Sequence, residues 1–264
     1  MMKRWIKDMS EVMSDYEAAL LYDRMKRDGL LDDPFIAVIG LGGAGCNIVE
    51  EMSKKLSNVR FFCINTDQLS NKRRMGIETI LIGEDIILDH KDTSGKPEIG
   101  RRAMKEKIQL IRDRILGNND YFILITGMGG SSAYAALELA FNLHEQLLPF
   151  SVYLIKPFEF EEERNQIYTT VLQHLHKLSC RIQTFENDSL DETVDQLNRK
   201  FAENIFTQLK MTQKYLQSIW LQSFKQFVNN EVKPKPISKL NQKEESLPID
   251  ITLESIEQAE TNFS

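Results

Sequence analysis

Residues Phe35 to Glu50 read FIAVIGLGGAGCNIVE, an apolar run that passes through a glycine cluster directly into a helical pattern. Phe35 to Ile39 is short, apolar and β-branched, as a strand buried inside a parallel sheet requires. From Ala44 onward, Ile48, Val49 and Met52 recur at helical spacing. Between the two patterns lie Gly40, Gly42, Gly43 and Gly45. Lacking a Cβ, they let the main chain approach a ligand closely, and the free N–H groups that open a helix favour an anion. The stretch therefore predicts a strand, a phosphate loop and a helix start, with a phosphate or pyrophosphate as occupant. Gly40, Gly42 and Gly45 also spell GxGxxG, and Asp67 follows a second apolar run, Val59 to Ile64, at roughly the ~20-residue interval of a ribose-binding acid. On this pattern alone, an NAD-dependent Rossmann oxidoreductase is one open reading.

The bulk of the chain bounds what surrounds this unit. Its 264 residues suffice for one substantial α/β core, to which about the first 230 positions contribute by composition. Thirty-nine acids against 33 Lys and Arg give a net charge of −6, spread along the chain, which argues against a nucleic-acid groove needing a basic face. Cys46, Cys63 and Cys180 are odd in number and sit in or beside expected core elements, so reduced thiols in a cytoplasmic setting are expected. No apolar run approaches the ~18 residues of a membrane span. Acids interrupt the N-terminal MMKRWIKDMSEVM where a signal peptide would be apolar, so any membrane contact is expected to be indirect.

Along the chain, Trp5, Met9, Val12, Met13, Tyr16 and Leu20 recur at helical intervals, giving an expected N-terminal helix over residues 1–34. After the second strand come Thr79 to Ile82 as a short strand and a long loop, Glu84 to Lys96, holding His90, Asp92 and Gly95. Pro97 suits the first position of a helix, which Gly117 stops. The strand Tyr121 to Thr126 then runs into Gly127-Met128-Gly129-Gly130-Ser131-Ser132 and another helix, a second strand, glycine loop and helix unit. Two such helix starts can converge on one polyphosphate, which a plain Rossmann dehydrogenase does not require. A strand from Ser151 to Ile155 and a helix from Glu159 to Leu178 follow. His174 and His176, two apart on that helix, cannot chelate one metal together. Cys180 to Phe185 is a further strand, and a long helical pattern runs from about Asp191 to Phe227. The expected fold is a doubly wound, mainly parallel α/β sheet with helices on both faces, over residues 35–228. A polar tail, residues 229–264, is too poor in apolar residues to order itself.

With both glycine loops in place, the chain resembles the tubulin and FtsZ superfamily of GTP-binding proteins, and the FtsZ branch more closely. GLGGAGCN at Gly40 to Asn47 and INTD at Ile64 to Asp67 look like its first two nucleotide loops. GKPEIGRRA at Gly95 to Ala103 is similar to the segment that meets the γ-phosphate, and GMGGSSAYAAL at Gly127 to Leu137 stands where the tubulin signature does. KPFEFEEER at Lys156 to Arg164 resembles the sugar-contacting segment, and END at Glu186 to Asp188 the base-reading one. The resemblance implies that Gly42, Gly43, Ala44 and Asn47, with Gly129, Gly130, Ser131 and Ser132, line the α- and β-phosphates of GTP or GDP, with Gly40 and Gly127 in the same nucleotide site. Gly95 and Pro97 fall in the γ-phosphate segment. It further implies magnesium near Asp67, ribose contacts from Glu161 with Arg164 or Asn165, and guanine read by Asn187 with Asn204 of the long helix.

Two departures shape the functional expectation. The family signature GGGTG(S/T)G reads Gly129 to Ala135 here, so three glycines are replaced and Tyr134 is expected to add bulk beside the phosphates. Beyond the long helix, neither the family's acidic catalytic loop nor its second domain is recognisable. The expectation is a cytoskeletal or division-related guanine-nucleotide-binding protein whose GTP hydrolysis is weak or partner-dependent, with self-association or a full-length FtsZ-like protein as the expected protein contacts. A nucleotide-free structural partner of such an FtsZ is the alternative from another class.

Overall fold

The protein's structure, a computed structural model, describes residues 34–56, 59–67, 76–84, 96–187 and 192–232. The expected N-terminal helix, the loop with His90, Asp92 and Gly95, Asp188 and the tail from 233 lie outside the described residues. The chain divides into two compact units. Asp33–Leu216 forms one; of the other, only residues 217–232, the last part of a helix, are described.

The first unit is built on six parallel strands: β1 (Ile36–Leu41), β2 (Arg60–Asn65), β3 (Ile77–Leu81), β4 (Tyr121–Gly127), β5 (Phe150–Ile155) and β6 (Arg181–Phe185). Their order is β3-β2-β1-β4-β5-β6, so the chain winds one way from β1 to β3 and the other way from β4 to β6. Among the described residues, five α-helices connect or follow them: α1 (Gly42–Ser53), α2 (Pro97–Arg114), α3 (Ser131–Glu145), α4 (Glu162–Leu175) and α5 (Val194–Val232).

Side chains of a strand alternate between its faces, and here each face finds its own helices. Ala37, Ile39, Phe62, Leu124 and Val152 pack with Met104 of α2, Leu139 of α3 and Val171 of α4. On the other face Ile36, Val38, Cys63, Ile125 and Tyr153 pack with Val49 of α1 and Leu197, Phe201, Ile205 and Leu209 of α5. Full burial of each Val, Leu, Ile, Phe or Met side chain among them contributes about 1.5–3 kcal/mol. Both faces being covered explains why β1, β4 and β5 are mostly apolar rather than alternating, with only Thr126 and Ser151 as polar interruptions. β6 is an edge strand and shows polar Arg181 and Thr184 to solvent, which discourages edge-to-edge pairing.

The element ends differ from the sequence reading for local reasons. Helix α1 starts at Gly42 rather than Ala44, because the glycine loop is absorbed into its first turn. Helix α4 starts at Glu162 rather than Glu159. Before it, Phe158 and Glu161 close a turn, with the Glu161 N–H donating to the Phe158 carbonyl at 3.0 Å. Helix α5 begins after a reciprocal cap: the Thr193 N–H donates to Gln196 Oε1 at 2.8 Å, and the Gln196 N–H to Thr193 Oγ1 at 3.3 Å. It runs on to Val232, five residues past the expected Phe227.

Candidate functional site

The winding reverses between β1 and β4, and in open α/β sheets a crevice forms beyond the carboxyl ends of the strands at such a point. A cleft of about 310 Å³ lies there. It is lined by Leu41 to Ala44 after β1, Asn65 to Asp67 after β2, Ile82 after β3, Gly127 and Gly129 to Ser132 after β4, and Arg164 of α4. The two glycine loops touch. Gly42 has φ +70, a left-handed conformation that suits glycine, and a Cβ there would lie 2.5 Å from Ser132 Cβ. Ser132 Oγ donates back to the Gly127 carbonyl at 3.3 Å, which closes the second loop on itself. Gly45 packs α1 directly on β4, where a Cβ would overlap the Ile125 carbonyl oxygen. Gly43 meets nothing within 4 Å and faces open space.

A helix begins with N–H groups that have no intrahelical partner. Neither α1 nor α3 satisfies them with a side-chain cap, and neither carries an acid in its first turn. The helices that start elsewhere do carry acids there: Glu98 in α2, Glu162 and Glu163 in α4, Asp195 in α5. The cleft is thus where two helix N-termini without a first-turn acid converge, a setting for an anion larger than one phosphate. Asp67 is the one carboxylate and Arg164 the one cation among its described lining residues.

The other expected residues surround this cleft unevenly. Asn47 is exposed on the face of α1 that carries Gly43 and Ala44, one turn beyond the lining. Pro97 opens α2, whose Gly100 packs so closely on α3 that a Cβ would overlap the Ser131 carbonyl oxygen. Gly95 lies outside the described residues. Glu161 accepts the Phe158 N–H at 2.9 Å and Arg164 Nη1 at 2.6 Å. Asn165 donates to the Phe158 carbonyl at 2.8 Å and the Glu161 carbonyl at 3.0 Å, so it stitches the turn. Asn187 donates to the Lys156 carbonyl at 3.0 Å. Asn204 is exposed, whereas Asn198, which the sequence reading did not single out, is 7% exposed on the core face of α5. A polar residue inside the apolar stripe Leu197, Phe201, Ala202, Ile205 is the signal that could have found it. Tyr134 does not crowd the cleft as expected; it packs on the apolar core beneath α3.

A wider groove of about 640 Å³ runs along α4 past Lys156, Glu162, Thr169 and Thr170. Its threonine hydroxyls donate to their own helix, Thr169 to the Asn165 carbonyl at 2.9 Å and Thr170 to the Gln166 carbonyl at 3.0 Å, which leaves them poor recognition groups. The shifted titrations also concern side chains that do not line the cleft. Burial pushes up Tyr121, against the opposing effects of the Ser151 hydroxyl and Arg181, and burial pushes the Cys180 thiol up to about 11. No described group of three or more His, Cys, Asp or Glu could hold a metal by protein ligands alone. Among the described residues no helix is long and apolar enough to cross a membrane.

The family model of the Tubulin/FtsZ family, GTPase domain, matches residues 35–195, more than half of the chain. The chain belongs to the Tubulin/FtsZ family. Its FtsZ relatives include the cell division protein FtsZ of Buchnera aphidicola subsp. Baizongia pistaciae, 35% identical over 140 residues, 52% of this chain and 36% of that protein. The FtsZ of Pseudomonas putida is 32% identical over 166 residues, 62% of this chain and 41% of that protein. The match thus spans about two fifths of the length of these curated relatives. Among solved structures, an empty FtsZ dimer from M. jannaschii superposes with a TM-score of 0.57 at 21% identity, covering 85% of this chain and 62% of that one. The GTPγS-bound protofilament of CetZ2 from Haloferax volcanii gives 0.58 at 22% identity, covering 68% and 59%. At these identities the likeness establishes the shared fold. Both glycine loops and the cleft between them fall inside the matched Tubulin/FtsZ region.

Proposed function

We propose that the cleft binds a guanine nucleotide, GTP or GDP, as part of a cytoskeletal or division-related protein. The observation that carries this reading is the pair of uncapped helix starts, Gly42 to Ala44 and Ser131 to Ser132, held against each other through Gly42 and Ser132. Backbone N–H groups there suit the α- and β-phosphates. The start of α2, tied to Ser131 through Gly100, flanks the cleft where a third phosphate would extend. Asp67 suits a magnesium ion, which is commonly held by one or two carboxylates together with substrate phosphates. When bound, magnesium would neutralise phosphate charge. Asn187 and a polar group of α5, Asn204 or the buried Asn198, are the proposed base-reading side, and residues 35–228 the proposed nucleotide domain.

Hydrolysis needs an oriented water as well as bound phosphates. Asp67, the one carboxylate among the described lining residues, is the proposed metal neighbour, and because the resemblance implies a catalytic acid carried on another chain, we assign the orienting group to a partner. Turnover by this 264-residue chain alone is accordingly slow. The test of ligand class is a thermal-shift series with GDP, GTP and NAD. A ligand at 100 times its Kd stabilises by about 2.7 kcal/mol. Guanine nucleotides raise the melting temperature and NAD does not; stabilisation by NAD alone would return the chain to the dehydrogenase reading of GxGxxG.

A further inference from the structure

The resemblance puts Glu161 on the sugar and an arginine beside it, but the geometry of this chain points elsewhere. Arg164 reaches from the first turn of α4 across the second glycine loop. A Cβ on Gly129 would lie 2.6 Å from Arg164 Cδ and 3.2 Å from its Nε, so the absence of a side chain at 129 is what admits the arginine. Arg164 is one of the residues that line the cleft. Its Nη1 donates to Glu161 Oε1 at 2.6 Å, while the other carboxylate oxygen, Oε2, accepts the Phe158 N–H at 2.9 Å. Glu161 therefore has both oxygens engaged within its own turn, which Asn165 closes from the far side. The side chain of Glu161 is 21% exposed and that of Arg164 57%: a held carboxylate and a cation left open to solvent.

We propose that Arg164, held by Glu161 over the second glycine loop, donates to a phosphate oxygen of a bound nucleoside diphosphate, and that Glu161 is a positioning residue rather than a sugar ligand. This rests on the nucleotide reading above. A guanidinium suits the role because its donors form a planar fork: one N–H can stay on the carboxylate while others turn to phosphate. The one-residue shift from the position that resembles the family's arginine, now Asn165, moves the charge from the sugar side to the phosphate loop.

The experiment measures GDP and 2′,3′-dideoxy-GDP affinity for the full chain and for Arg164→Gln, Glu161→Gln and the double variant. Losing a hydrogen bond from a charged donor weakens binding by roughly tenfold to a hundredfold, and Arg164→Gln loses that factor for both nucleotides alike. Glu161→Gln acts only through Arg164. Its effect is the same for the two nucleotides and vanishes in the Arg164→Gln background. Because the arginine is largely exposed, the unliganded unfolding midpoint stays at the parent value. If that variant does not fold, Arg164→Lys, which keeps the stem and the charge but not the fork, shows a smaller loss that is again equal for the two nucleotides. A loss that shrinks when the sugar hydroxyls are removed, for either residue, overturns the proposal, as does undiminished GDP binding by Arg164→Gln. Failure of the parent chain to bind any guanine nucleotide overturns the nucleotide reading itself, and this inference with it.

Discussion

Replacing Gly43 and Gly45 by alanine, two residues apart in one loop, separates ligand binding from folding. A Cβ on Gly45 overlaps the Ile125 carbonyl oxygen and lies 3.1 Å from the Ile125 carbonyl carbon and 3.3 Å from that of Gly40. Ordinary carbon contacts are about 3.5–4.0 Å, and these neighbours are main-chain atoms of β4 and β1 in the centre of the sheet, which cannot swing aside. Helix α1 must instead retreat. Overpacking of this kind costs about 1–3 kcal/mol, and a backbone clash belongs at the upper end. For a domain of this size, about 3 kcal/mol lowers Tm by about 6–12 °C. Gly43→Ala has the opposite sign. Its Cβ meets nothing within 4 Å and its φ is not left-handed, so restricting the unfolded chain stabilises by about 0.4–1 kcal/mol. Urea unfolding of both variants without nucleotide measures the difference. Gly45→Ala within 1 kcal/mol of the parent, or Gly43→Ala less stable than Gly45→Ala, would refute the reasoning.

Phe201, 4% exposed and 5.3 Å from the Phe185 ring, ties α5 to β6, so Phe201→Ala lowers the free energy of unfolding by about 3–5 kcal/mol in urea titrations. Burial raises the Cys180 thiol to about 11 from 9.0, so the folded protein keeps this proton longer than the unfolded chain does. That contribution is complete below pH 9 and lost as pH rises towards 11; Cys180→Ala, compared with the parent across this window, shows a shallower decline in stability. Phosphate release from GTP by the purified chain is slow and proportional to protein concentration, without GTP-dependent light scattering. Release rising steeply with concentration, together with scattering, would show a composite site formed between copies of this chain.

The sequence made the strand, loop and helix units legible because each is local: apolar runs of strand length, glycines at the turn, helical spacing after it. All six expected strands are present, with no end shifted by more than two residues. The order β3-β2-β1-β4-β5-β6 was not legible, since pairing such as Gly40 with Ile125 joins residues far apart in the chain. Gly100 reads as an indifferent helix residue until Ser131 is found against it. Tyr134 looked like bulk beside a phosphate because it falls within a signature, but the turn of α3 directs it to the core. Arg164 was visible as a charge one position out of register, while its path over Gly129 depends on the turn at Phe158 to Glu161 that launches α4.

The central claim is that two glycine loops form one guanine-nucleotide cradle, and Gly43 tests it most directly because it lines the cleft and a Cβ there meets no protein atom within 4 Å. Calorimetric titration of GDP with magnesium into the parent chain and into folded Gly43→Val is the measurement. The account predicts saturable one-to-one binding by the parent and none detectable by the variant. Equal affinities in the two folded proteins would contradict it.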